Sequence, residues 1–344
     1  TAGTIYAFGY TLLTGVLLNF VFGVFATRVM IRGAASIKAL RNPWLYGAVK
    51  PGKEVKEKKP IDFVGLRKRF LTISTCLMAA IILCAAVFGV RLDTEFTGGA
   101  MITLSYQGEI STSEVQKTAS TALENNGLTL QTGENVATGE QTLKISMPGN
   151  ETVTTDQVEN LLTSLNEQYP DNAFAQLSLS NVSAAMGTKF LQKSLVAVVF
   201  SLLLILLYIG FRFKKIGGLT GGLMAVLALL NDLIVVFGTF VLLRTPLDGN
   251  FIAAMLTILG YSINDTVVVY DRIRENRALM GKKTPFEELV NHSVNQSARR
   301  TLITTITTVM ALGVMCIVAK LYGLDSIFTF AFPLMMGMIS GVYT

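Results

Sequence analysis

The chain alternates long apolar runs with short polar stretches, and one longer polar stretch interrupts the series. Seven apolar runs stand out, at roughly 5–30, 70–90, 190–211, 217–243, 250–271, 301–320 and 326–344. Each has about the 20 residues that a helix needs to cross the hydrocarbon core of a bilayer. A spanning segment must satisfy its own backbone hydrogen bonds, so these runs predict helices. The expected fold class is a polytopic α-helical membrane protein with one α+β domain between its second and third runs.

That domain is written in shorter periods. "AMITLSY" (100–106) alternates as a strand. "STSEVQKTASTALENNG" (111–127) has helical spacing, with Ser111 and Glu114 placed as a capping box and Gly127 as the stop. "LTLQTGE" (128–134) and "TLKISMP" (142–148) alternate again. A second helix is expected over 154–170, opened by Thr154 and Gln157 and ended by Pro170, and "FAQLSLSNVS" (174–183) is a last strand. The order βαββαβ is the ferredoxin-like split motif. Its carboxylates fall at ordinary solvated spacing, and nothing in it points to catalysis.

Composition agrees. The 344 residues are 51% hydrophobic and 15% charged, whereas soluble domains are nearer a quarter charged. The net charge of +6 does not point to nucleic acid, because its distribution follows the membrane. Residues 28–69 carry twelve Lys and Arg against three acids, while 91–187 hold only Arg91, Lys117 and Lys144 as bases. The positive-inside rule places 28–69 in the cytoplasm and, by parity, 93–187 on the far side. Arg212, Lys214, Lys215 and the basic 272–300 loop agree, and Arg244 and Lys320 are minor exceptions. The three cysteines lie in apolar runs and there is one histidine, so neither a disulfide framework nor a metal site is expected. His292 is expected on a cytoplasmic helix opened by Thr284, Pro285 and Glu287, as a plain surface residue.

The expected layout is a helix in 1–33, a basic cytoplasmic linker in 34–69, a helix in 70–92, the ferredoxin-like domain in 93–187, and a five-helix bundle in 188–344 with the cytoplasmic loop 272–300. "IYAFGYTLLTG" (5–15) and "IFTFAFPLMMG" (327–337) echo one another at Ile5/Ile327, Phe8/Phe330, Tyr10/Phe332, Leu12/Leu334 and Gly15/Gly337. The echo, with apolar runs reaching both ends, suggests two related halves of a longer polypeptide. Small-xxx-small glycines at Gly217/Gly221, Gly218/Gly222 and Gly337/Gly341 predict close helix contacts.

The unusual chemistry lies inside the runs. Asp265 sits in "YSINDTVVVY" (261–270). An unpaired carboxylate at mid-membrane costs about 2.5–3.5 kcal/mol on insertion scales, so a partner is expected. Arg300 opens the next run, which returns antiparallel at similar depth. Asp265 lies six residues before Asp271, about 9 Å along a helix, within the compass of a guanidinium on its stem. Ser262, Asn264 and Thr266 flank the acid, and Thr304, Thr305, Thr307 and Thr308 follow the arginine, so hydroxyls can line a thin water path. Desolvation and a nearby arginine act oppositely on a carboxyl group. Asp265 is therefore expected to load and release protons, with Arg300 responding to its charge. A static buried ion pair is the bland alternative. Asp232, after Asn231, is a supporting polar residue in the fourth run. Asp271, Arg272, Arg274 and Glu275 are expected to be helix-end charges.

"GYSINDTVVVYDRIREN" (260–276), "NQSARRTLITTITT" (295–308) and "EFTGG" (95–99) resemble the SecF protein-export membrane protein family of the resistance-nodulation-division superfamily. Residues 1–33 resemble the last helix of its SecD partner, as in a fused SecDF. The resemblance implies a multi-pass protein of the bacterial cell membrane that uses the proton-motive force to assist Sec-dependent preprotein translocation. Its implied partners are a SecD half, a SecYEG-type translocon, unfolded preprotein and lipid. It implies no nucleic acid, no enzymatic activity, and no cofactor beyond protons as coupling ion. The family's membrane acid and arginine fall on Asp265 and Arg300. The Gly98–Gly99 pair belongs to a motif usually opened by Asp-Phe, here Glu95-Phe96, and Asn231 stands where a histidine is common. Other readings are a small-molecule or lipid exporter of the same superfamily, an intramembrane aspartyl protease using Asp232 and Asp265, and a plain scaffold.

Overall fold

The computed structural model describes residues 2–38, 42, 60–125, 127–134, 139–149, 152–281 and 283–344, with side chains from residue 9 onward. Most of the basic linker, 43–59, lies outside them, as do residues 135–138. The chain divides into two compact units, Thr1–Ile61 and Asp62–Thr344.

The first unit is a continuous helical rod: α1 (Ala2–Leu18), a π-helical stretch (Asn19–Ala26) and α2 (Thr27–Ser36). Asn19 folds its amide over Gly23, where a Cβ would meet Asn19 Oδ1 at 2.2 Å. A larger residue at that position would displace the Asn19 amide from the widened turn.

In the second unit, α3 (Arg67–Phe88) leads to the one-turn helix α4 (Thr94–Thr97) and then the sheet domain. The domain runs β1 (Gly99–Tyr106), α5 (Thr112–Ala122), β2 (Thr129–Glu134), β3 (Gln141–Pro148), α6 (Thr155–Gln168) and β4 (Ala175–Val182). All pairings are antiparallel and the strand order is β2-β3-β1-β4, with β4 an open edge. One face, with Ile102, Leu104, Leu143 and Ile145, buries against Val115 and Ala119 of α5 and Val158, Leu161 and Leu165 of α6. Alternation dictates this, because a strand sends successive side chains to opposite faces.

Two predicted caps differ. The Thr154–Gln157 capping box on α6 forms. Ser111 precedes α5 but makes no capping bond, because its hydroxyl turns to Ser113 Oγ at 3.2 Å. The helix also stops at Ala122, ahead of Gly127, where Glu124 takes a positive φ of 51°. Thr284 does not cap its helix either. Its hydroxyl donates to the Met280 carbonyl and its own carbonyl accepts from Arg277, so it closes the preceding loop instead.

Five long helices follow: α7 (Ala184–Arg212), α8 (Gly218–Leu243), α9 (Gly249–Leu279), α10 (Phe286–Leu321) and α11 (Asp325–Tyr343). Among the described residues seven helical segments are long and apolar enough to cross a membrane. Helix α8 is the most buried of them and touches α3, α7, α9 and α11. Close approach explains the glycines of α11. A Cβ on Gly337 would lie 2.6 Å from Val236 Cγ2, and one on Gly341 would lie 3.2 Å from Asp232 Oδ2. Gly221 and Gly222 likewise sit against Tyr270 and Leu206. Gly217 is different: it precedes α8 with φ of 111°, so it turns the chain rather than packing a helix.

Candidate functional site

Helices α9 and α10 form an antiparallel hairpin whose inner half is tied by Asn276. Its amide donates to Ser293 Oγ at 2.9 Å and to Gln296 Oε1 at 3.0 Å. His292 is exposed beside Gln296. The helix-end charges pair locally, Asp271 with Arg274 at 2.5 Å and Arg212 at 3.6 Å, and Arg272 with Glu275 at 2.8 Å.

This hairpin places Asp265 and Arg300 on facing helices. Arg300 lies close enough to act electrostatically on Asp265. They do not form a contact ion pair, since none of the ion pairs within 4 Å joins them. Asp265 is half-buried, while Asn264 and Arg300 are exposed at the side of the bundle. Tyr261 OH reaches Thr308 Oγ1 at 3.2 Å, linking the two helices one turn above the acid. Thr304 donates to the Arg300 carbonyl, and Thr266 to the Ser262 carbonyl, as side chains folded onto their own helices. Thr305 is buried and its hydroxyl has no hydrogen-bond partner, so a polar atom faces the packed bundle there.

Asp232 belongs to a separate constellation. It is fully buried and accepts hydrogen bonds from Ser262 Oγ at 2.7 Å, Ser340 Oγ at 2.7 Å and Thr344 Oγ1 at 3.0 Å. Asn231 donates to Ser340 Oγ at 3.0 Å and accepts from Ser74 Oγ at 2.5 Å. Four helices, α3, α8, α9 and α11, thereby meet at one polar knot. No hydrogen bond joins Asp232 to Asp265. Ser262 is thus a ligand of Asp232 rather than of Asp265.

A third cluster escaped the sequence analysis. The segment between α3 and α4 lies beside the α8–α9 loop, where Leu247 N donates to the Arg91 carbonyl and Asp93 N to the Leu247 carbonyl, each at 2.9 Å. Asp93 caps α4, Asp248 caps α9 through Phe251 N at 3.2 Å, and Glu95 Oε2 accepts from Gly249 N at 2.8 Å. Lys144 descends from β3 and places Nζ 3.4 Å from Asp93 and 3.6 Å from Glu95. Burial works to lower the Lys144 pKa, but Asp93, Glu95 and Asp248 outweigh it and hold the ammonium above its ordinary value. Burial, then the neighbouring Asp93, pushes Asp248 up to about 7 against the pull of Lys144. The signal in the chain was a lysine on the face of β3 opposite Leu143 and Ile145, in an acid-rich domain. Its partners are 51 and 49 positions away for Asp93 and Glu95, by difference of residue numbers.

The "EFTGG" residues sit at this junction. Phe96 stacks on Phe190 of α7 at 5.5 Å. Gly98 and Gly99 have φ of 83° and 124°, and a Cβ on either would strike the Ala184 or Met147 backbone. The longer arm of Glu95 reaches both Lys144 and the first turn of α9.

Fold and site together define a polytopic α-helical membrane protein that carries a ferredoxin-like domain, with Asp265 and Arg300 on facing helices of its bundle. Residues 161–344 match the family model described as protein export membrane protein SecD/SecF, C-terminal. The chain is 32% identical over 286 residues to the protein translocase subunit SecF of Petrotoga mobilis, covering 83% of this chain and 92% of that protein. It is 30% identical over 283 residues to the protein translocase subunit SecDF of Bacillus subtilis, covering 82% of this chain but 36% of that protein. Among solved structures it matches SecDF, a translocon-associated membrane protein from Thermus thermophilus, with a TM-score of 0.71 and 26% identity over 94% of this chain and 41% of that one. The chain belongs to the SecD/SecF family of protein export membrane proteins. These relatives are named as translocase subunits, not as enzymes.

Proposed function

We propose that this chain is a SecF-type subunit that assists preprotein export at the expense of the proton-motive force, with Asp265 as the proton carrier and Arg300 as its charge partner. The observation that carries the reading is the placement of these two groups on facing helices of the bundle, without a direct ion pair. A locked pair has little to gain from a proton. A looser pair changes its mutual attraction when the acid is neutralised, and the hairpin repacks. Each charge moved across the field supplies about 2.3 kcal/mol per 100 mV, so a few protons bias a two-state bundle. The buried unpartnered hydroxyl of Thr305, with Thr304 and Thr308 nearby, supports a polar path at that level.

The proposed partners are a SecD half, fused or separate, a SecYEG-type translocon and unfolded preprotein, in the bacterial cell membrane with 93–187 outside the cytoplasm. The paired-acid protease reading loses support because the hydrogen bonds of Asp232 go to hydroxyls, not to Asp265. The superfamily-exporter reading needs an enclosed substrate cavity, and the hollow of about 430 Å³ beside Tyr208 and Asn264 is open rather than enclosed. The test is preprotein export in vesicles with and without an imposed gradient. Asp265→Asn is expected to insert normally and to lose the gradient-dependent component. Full gradient-stimulated export by that variant would remove the proposal.

A further inference from the structure

The Lys144 cluster sits where the sheet, the α3–α4 segment and the first turn of α9 converge. Its geometry is that of a joint. Lys144 is the sheet's charged contact with the segment below it, and both Glu95 and Asp248 bind backbone N–H groups of the first turn of α9. Helix α9 is also the helix that carries Asp265. The groups facing Asp248 are Asp93 and Glu95 from the α3–α4 segment and Lys144 from β3. Helix α7 packs on α4 through Gly187 and Phe190 and brings no charge, since Lys189 and Lys193 are exposed. Arg244, at the end of α8, lies over the Phe88 ring, 5.2 Å from its centroid.

Three carboxylates thus surround a single ammonium in a place where Asp93 and Asp248 are only 1% and 3% exposed. Fully ionised, the cluster carries two uncompensated negative charges. With one proton bound it carries one, and Asp248 no longer bears the cost of a buried charge or the repulsion of Asp93 and Glu95, which together outweigh the attraction of Lys144. We propose that this cluster is a proton-operated clamp: a proton held on Asp248 keeps the sheet seated on the outer end of α9, and its departure loosens the seat. The clamp links the domain to the helix of the relay, yet it does not require Asp265 to titrate.

The sign follows from linkage. The seated value of Asp248, about 7, lies above the ordinary 3.8. The stabilisation is therefore fully present below about pH 4, and it is lost as pH rises toward 7. Lys144, held above its ordinary 10.5, stays charged across this window and adds no slope. If release returns Asp248 to its ordinary value, the loose-to-seated ratio rises by at most roughly a hundredfold between pH 5 and 8.

The test uses the whole chain in nanodiscs, with its native cysteines replaced by alanine and spin labels introduced by Ser178→Cys on β4 and Leu242→Cys at the outer end of α8. Pulsed dipolar spectroscopy then reads the distance distribution. We expect a narrow distribution at pH 5 and a growing second population at pH 8. Asp248→Asn, a neutral side chain of the same shape, should keep the narrow distribution at both pH values. Lys144→Met should show the second population at both. A wild-type distribution that does not change between pH 5 and 8 would overturn the clamp. So would Asp248→Asn following pH as the wild type does. An Asp265→Asn chain should keep the wild-type pH response, which separates failure of the clamp from failure of the relay.

Discussion

Asp232 and Asp265 are both carboxylates within membrane helices, and the structure treats them in opposite ways. Asp232 is enclosed and accepts from three hydroxyls on two other helices. Asp265 is half-buried and has one distant guanidinium as its electrostatic partner. The first arrangement ties the acid into a network of hydroxyls that joins helices. The second gives the acid no hydrogen bond from the described residues of its own chain, and under the proposed function that is what leaves its protonation state open to an outside supply. On that reading incomplete satisfaction, rather than burial alone, distinguishes the proton carrier.

The largest expected effect that sharpens this contrast is on function. Asp265→Asn removes gradient-driven export while the thermal midpoint in detergent stays near wild type. Arg300→Lys keeps the charge but loses the planar fork, and is expected to lower gradient-driven export clearly without abolishing it. Wild-type export by Arg300→Lys would reduce Arg300 to a point charge.

Asp232 should behave in the reverse manner. Asp232→Ala strands the buried donors Ser262 and Ser340, and each unpaired buried group costs about 1–3 kcal/mol. The expected outcome is a large drop in thermal midpoint, with Asp232→Asn recovering much of it. If Asp232→Ala were as stable as wild type but dead in export, the comparison would be upside down.

Smaller effects probe the packing behind it. Gly337→Val pushes a side chain into Val236 and Ile258, and overpacking typically costs about 1–3 kcal/mol. Thr154→Ala removes the one complete capping box in the domain and should cost about 1 kcal/mol. Denaturant titration of the whole chain reads both, and the second should leave export unchanged.

Much of this was legible in the chain because it depends on local periodicity. Alternation in 100–106 and 142–148, and helical spacing in 154–170, place the sheet and α6 within a residue or two, whereas α5 ends five residues before the expected stop at Gly127. The caps were less legible. Ser111 and Thr284 have the right chemistry, but each found a nearer partner, Ser113 and the Met280 carbonyl. Long-range polar chemistry was least legible. The placement of Asp265 and Arg300 on facing helices followed from hairpin geometry, since one short loop joins those helices, but the direct ion pair that the sequence suggested does not form. Nothing local ties Asp232 to Ser340 or Lys144 to Asp93, because those contacts appear only once distant elements pack. Lys144 in particular looked like an ordinary strand lysine until its face of the sheet met the helix ends.

As the proposed proton carrier, the Asp265 carboxyl should change protonation as the gradient is applied. Infrared difference spectroscopy of the whole chain in proteoliposomes reads this directly from the carboxylic C=O band, assigned by its loss in Asp265→Asn. We expect that band to rise and fall as the gradient is imposed and collapsed. A carboxylate that remains ionised under every gradient would contradict the account.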